Sequence, residues 1–156
     1  MCFSAGASFT AGVVLTAVGA ATLNKVNKPS QVVFASITIF FALQQFAEGI
    51  LWLTMTHPGY SGLQTITTQI FIVMAQVIWP AMIPVSVLLL EENRTRKKIL
   101  IALFIAGLYV AVSNLYGLVI YPVHADISSR HLVYQNDLQA GFGKAALALY
   151  FAVTVI

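Results

Sequence analysis

The sequence predicts an all-α fold, a polytopic transmembrane helical bundle, and two observations carry that prediction. Of its 156 residues, 59% are hydrophobic and 8% are charged, against roughly 25% charged in an ordinary soluble domain. Apolar runs long enough to cross a bilayer also recur along the chain, with short polar breaks between them. Residues 1–156 therefore read as one transmembrane domain whose main partner is the lipid bilayer. The net charge of +3 does not point to nucleic acid, because the basic residues sit in short loops between apolar runs, where they orient a membrane protein.

Five spans are predicted, at about 7–23, 32–55, 66–90, 99–121 and 138–156. The middle three would be ~33 to 37 Å long as helices, enough to cross a hydrocarbon core of about 30 Å with some tilt. The first carries Ser8, Gly12, Thr16 and Gly19 at helical spacing, a stripe of small residues that lets a neighbouring helix approach closely. In the second, Phe41, Gln45, Glu48 and Trp52 fall at i, i+4, i+7 and i+11 on one face, with Gln44 flanking Glu48. In the third, Gln69, Gln76 and Pro80 share a face. Pro80 has no amide for the Gln76 carbonyl, and Pro84 has none for the Pro80 carbonyl, so Trp79-Pro80 marks a kink with free acceptors. The fourth carries Ser113 and Asn114 at ~12 Å from its outer end, a depth comparable to Gln45, Glu48 and Gln76. The fifth runs apolar to Ile156 with no polar flank, so the natural chain is expected to continue.

Lys25 and Lys28 lie between the first two spans, and Arg94, Arg96, Lys97 and Lys98 between the third and fourth. Positive residues resist translocation, so these loops are expected to be cytoplasmic. The amino terminus and the 56–65 and 122–137 loops then face outward from a bacterial inner membrane, with Arg130 the only basic residue in those loops. Residues 1–9 lack the features of a cleaved signal peptide. The 122–137 loop is long, and its 127–134 stretch reads as a short strand or hairpin, a lid over the bundle mouth.

Only Glu48 and Lys144 are ionisable within the predicted spans, and a charge near the bilayer centre costs about 2.5–3.5 kcal/mol. They form an ion pair if the second and fifth helices are neighbours. Alternatively, Lys144 snorkels to the interface and Glu48 is a neutral, hydrogen-bonded structural acid. Gln45, Glu48, Gln76, Trp79 and Asn114 make a polar layer in the outer half of the membrane, the candidate site for a cofactor or a proton pathway. The alternative is that these groups only join helices, at about 0.6 kcal/mol per contact.

The single Cys2 excludes an intrachain disulfide and CxxC motifs. Under the deduced topology Cys2, His57, His124 and His131 all face outward. Thiolate and imidazole suit copper or zinc, so these four are the candidate metal ligands; the alternative is three loop histidines that hold nothing. The chain contains no Gly-x-Ser-x-Gly, no His-Glu-x-x-His and no phosphate-binding glycine loop, which argues against an enzyme.

Met1-Cys2-Phe3-Ser4-Ala5 with Ser8-Phe9, the stretch Gln44-Gln45-Phe46-Ala47-Glu48-Gly49-Ile50-Leu51-Trp52, Trp79-Pro80 with Pro84, and His131-Leu132-Val133-Tyr134 occur together. In this combination the chain resembles an uncharacterised family of bacterial multi-pass membrane proteins that open with MCFSA. The resemblance covers nearly the whole chain. It implies further spanning helices, a second Cys beside a Trp in the last of them, and thus a fragment of a seven-helix bundle. It brings no established activity.

Three readings of function follow. The first is a metal ion or small cofactor bound near the outer face by Cys2 and His131 above the Glu48 layer, for transport, redox chemistry or sensing. The second is an accessory or scaffold subunit of a larger membrane complex, or a homo-oligomer. The third is a proton-coupled carrier centred on Glu48 and the Trp79-Pro80 break.

Overall fold

The computed structural model describes residues 4–121, 123–128, 131–135 and 144–155, and among these the side chains of Pro58 and of 144–147 lie outside the description. Its body is helical: α1 (Ala5–Leu23), α2 (Val32–Met55), α3 (Ser61–Val73), α4 (Trp79–Leu90), α5 (Arg94–Ile120) and α6 (Lys144–Thr154). A π-helical turn, Met74–Ile78, joins α3 to α4, so the two form one continuous rod over Ser61–Leu90. Between α5 and α6 an antiparallel pair, β1 (His124–Ser128) and β2 (His131–Gln135), adds the hairpin expected in the long loop.

Four helical stretches are long and apolar enough to cross a membrane: Ala5–Leu23, Pro29–Met55, Ser61–Leu90 and Arg94–Ile120. They correspond to the first four predicted spans. Of the fifth, the described part is α6, 11 residues, about 16 Å of helix and roughly half a hydrocarbon core.

Local chemistry sets the ends of these rods. Ser4 accepts the Ala7 amide at the start of α1, and Asn93 accepts the Thr95 and Arg96 amides at the start of α5; each satisfies donors that have no partner inside the helix. Between α1 and α2 the Gln31 side chain accepts the Asn27 and Lys28 amides and closes the turn.

α1 and α2 pack antiparallel. Along the α1–α2 seam Phe9 meets Gly49, Gly12 meets Phe46 and Gly19 meets Ile39. The predicted small-residue stripe is thus an interface, with one correction: Ser8, Gly12 and Gly19 are buried in it, while Thr16 is exposed and turns its hydroxyl back to the Gly12 carbonyl. Gln69 departs from expectation too. It is exposed, whereas Gln76 is half-buried, because the π turn that starts at Met74 and contains Gln76 changes the helical rotation and ends the shared face. The rods leave the six basic residues of the two short loops at one end of the bundle, where the Pro29–Gln31 turn touches α4, and the β-hairpin at the other, against α3.

Candidate functional site

The interior of α2 is polar where apolar residues would pack most simply. Glu48 is 1% exposed and Gln44, one turn earlier, is 8% exposed. Gln45 donates its side-chain amide to Glu48 Oε2 at 3.3 Å. Gln44 Oε1 accepts from the indole Nε1 of Trp79 at 2.9 Å, a bond made across the bundle in a buried setting. The Trp79 ring lies against Phe41, with centroids 4.1 Å apart. The predicted face of Phe41, Gln45, Glu48 and Trp52 is therefore displaced by about a residue. The inward stripe runs Gln44, Glu48, Leu51, and Phe41 stays partly exposed while stacking on Trp79. Gln44, which the sequence reading placed only as a flank, is the residue that ties α2 to α4.

The helix break is resolved side chain by side chain. In the π turn the Trp79 amide bonds to the Met74 carbonyl, so the Ala75 carbonyl loses its usual donor, and Pro80 has no amide to offer Ala75 or Gln76. Both carbonyls are capped from elsewhere. Tyr150 Oη of α6 donates to the Ala75 oxygen at 2.7 Å, and Asn114 Nδ2 of α5 donates to the Gln76 oxygen at 2.8 Å. The Pro80 carbonyl, freed in turn by Pro84, faces the backbone of Gly107, so closely that a β-carbon there would overlap the oxygen. The structure thus brings Asn114 to Gln76, and Gln76 takes part through its main chain. Tyr150 carried no sequence signal as a partner.

The hairpin supplies a further group. Its pairing puts Leu132 opposite Ile127 and Tyr134 opposite Ala125 on one face. Leu132 is buried, and Tyr134 stacks on Phe71 of α3 with centroids 4.7 Å apart and planes within 9°. Phe71, Ile72 and Val123 form an apolar cluster to which Tyr134 and Leu118 add. The phenol of Tyr134 is pushed above its ordinary range, chiefly by burial and then by the negative charge of Glu48, so it stays a neutral O–H within electrostatic reach of that carboxyl. Its Oη is buried without a hydrogen-bond partner among the described residues.

The candidate metal ligands are not gathered in this way. No group of three His, Cys, Asp or Glu residues comes together among the described residues. His124 pairs with Gln135 and His131 with Ser128, so the two histidines sit at opposite ends of the hairpin, about 13 Å apart along the strands. His57 is exposed in the α2–α3 turn, its Nδ1 near the Thr56 hydroxyl and the Leu53 carbonyl. Cys2 and the side chain of Lys144 lie outside the described residues, and with them the proposed Cys2–His131 set and the Glu48–Lys144 ion pair.

Fold and site together define an all-α bundle of rods long enough to cross a membrane, with the Glu48 carboxyl and the Gln44 amide buried beside a capped helix break. The chain belongs to a family of unknown function, DUF6629, whose model matches residues 1–156, the whole of it. No curated protein and no solved structure matches the chain.

Proposed function

We propose that this protein is an integral membrane protein of the bacterial inner membrane, amino terminus outside, whose functional group is the Glu48 carboxyl, acting as a buried proton-binding site in a proton-coupled carrier. The observation that carries the reading is a carboxyl 1% exposed within an apolar rod, where an ionisable group costs up to about 2.5–3.5 kcal/mol and is retained for a use. Its neighbours support this. Gln45 bonds to it, and the adjacent rod is broken by a π turn whose carbonyls are held by residues of other helices, a device common where helices must shift.

Infrared spectroscopy of the protein in lipid nanodiscs tests the assignment. A carboxyl band that titrates with pH and disappears in Glu48→Gln is expected, together with loss of proton flux into vesicles carrying that variant. A titration spectrum identical in wild type and Glu48→Gln would overturn it.

The reading of an outer-face copper or zinc site rests on Cys2 with His131, and metal content unchanged in Cys2→Ser, His131→Ala would end it. The reading as a subunit of a larger complex is favoured by one observation. A wholly apolar groove of about 480 Å³ runs between α4 and α5, lined by Ala81, Met82, Phe104, Leu108 and Ala111 among others, and stoichiometric co-purification of a partner would support it.

A further inference from the structure

One face of α5 changes character along its length. Lys97, Ile101, Phe104, Leu108, Ala111 and Leu115 follow at i, i+4, i+7, i+11, i+14 and i+18 and so form one stripe. Its last four residues make one wall of the apolar groove between α4 and α5, opposite Ala81 and Val85. Met82 and Ala111 are buried at the floor of that groove, while Leu108 and Leu115 are exposed along its rim. Toward the end of the bundle that carries the basic loops, the same surface continues through Ile101 on α5 and through Leu89, one turn beyond Val85, on α4; both are apolar and exposed. The stripe ends at Lys97, with Arg94 one turn earlier, both exposed. Arg94, Arg96, Lys97 and Lys98 crowd the first turns of α5. The acids nearby in the chain are Glu91 and Glu92, and Glu91 is engaged by the main-chain amides of Glu92 and Asn93.

We infer that the α4–α5 groove seats one acyl chain of an anionic phospholipid of the cytoplasmic leaflet, whose head-group phosphate is held by Lys97 and Arg94. This rests on the reading of the chain as a membrane protein with its basic loops inside, and is independent of the role of Glu48. The dimensions fit a lipid tail. From Lys97 to Ala111 the stripe runs about 21 Å, somewhat more than half of a hydrocarbon core of about 30 Å, so a chain hanging from a head group at Lys97 lies extended along the groove as far as Ala111. The chemistry fits as well. A wall of carbon has nothing to give a polar ligand in exchange for its water, whereas a hydrocarbon tail gives up none. Tails are as apolar as the groove, so its shape places the chain and the head group decides which lipid stays. The stems of Lys97 and Arg94 lie along apolar surface and carry their charges out to head-group level, where a phosphate with no cation of its own is preferred over one that carries a choline. Lys25 lies at the same end of the bundle but in the turn between α1 and α2, outside the stripe. It separates a lipid held in the groove from general attraction to a negative surface.

The experiment is native mass spectrometry of the protein released from nanodiscs of dioleoyl phosphatidylglycerol and dioleoyl phosphatidylcholine in equal amounts, two lipids with the same tails. The wild type is expected to retain phosphatidylglycerol in preference to phosphatidylcholine. Lys97→Gln, a change at an exposed position, is expected to lower that preference about fivefold, the scale of one basic residue at an anionic membrane surface, and Lys25→Gln to leave it unchanged. Ala81→Phe puts a ring into the groove and leaves every cation in place; it is expected to reduce the retention of both lipids while circular dichroism shows the wild-type helix content. Equal retention of the two lipids by the wild type, a loss in Lys25→Gln as large as in Lys97→Gln, or full retention in Ala81→Phe would overturn the site. So would a protein partner that co-purifies in stoichiometric amount with the lipid displaced, which would give the groove to a partner helix. Wild-type protein that fails to float with vesicles of these lipids would remove the membrane reading together with the site.

Discussion

Removing the Asn114 side chain probes the helix break most directly, because its partner is an atom with no alternative in its own helix. Asn114 Nδ2 donates to the Gln76 carbonyl at 2.8 Å, and Pro80 stands where the usual donor to that carbonyl would be. Hydrogen bonds between helices inside membranes average about 0.6 kcal/mol and reach about 1.7, while a buried carbonyl left unpaired costs about 1–3 kcal/mol. Asn114→Ala therefore has an expected cost of about 1–2 kcal/mol, between the average bond and the full penalty. The discriminating step is to repeat it in a Pro80→Ala background. Alanine restores an amide at position 80, one helical turn from the Gln76 carbonyl, so the second loss of Asn114 has an expected cost of about 0.5 kcal/mol or less, a coupling of about 1 kcal/mol. Reversible unfolding in mixed detergent micelles, followed by circular dichroism, reads all four corners of this cycle. Equal costs of Asn114→Ala in the two backgrounds would refute the assignment of Asn114 as the replacement donor.

Two further sets of substitutions test the packing. Trp79→Phe leaves the buried Gln44 oxygen without its indole donor, at an expected cost of about 1–3 kcal/mol; adding Gln44→Leu removes the stranded acceptor as well, so the double variant should be more stable than Trp79→Phe alone, and the same unfolding assay ranks them. Gly107→Ala puts a methyl group onto the Pro80 carbonyl and forces α5 away from α4, with an expected cost of about 1–3 kcal/mol by thermal unfolding; Gly62→Ala, where a β-carbon meets nothing within 4 Å, should leave the melting temperature within a degree or two of wild type.

Much of this architecture is local and therefore legible along the chain. A run of twenty apolar residues needs no tertiary information to be recognised as a rod, and a missing proline amide frees a carbonyl whatever surrounds it. Glu48 stood out for the same reason, since an acid in such a run is anomalous on its own helix. The strand or hairpin was visible in the length of the 122–137 loop and its 127–134 stretch. Periodicity placed the α2 face only to within a residue, because side chains 100° apart can both border a packed seam; whether Gln44 or Gln45 turned inward depended on where Trp79 stood.

What the sequence by itself determined is thus the four long apolar rods, the break at Trp79-Pro80 and the unusual acid at position 48. The tertiary structure decided which side chains answer the groups those features strand. Asn114 reaches a carbonyl 38 residues away and Tyr150 one 75 residues away, and Tyr134 stacks on Phe71 only because the hairpin folds back over α3. It likewise set His124 and His131, seven positions apart in the chain, at opposite ends of one hairpin. The physical reason is the same in each case. Helical period and backbone chemistry are properties of neighbours in sequence, whereas the partner of a freed carbonyl or a buried acid is chosen by packing between segments that carry no local record of one another.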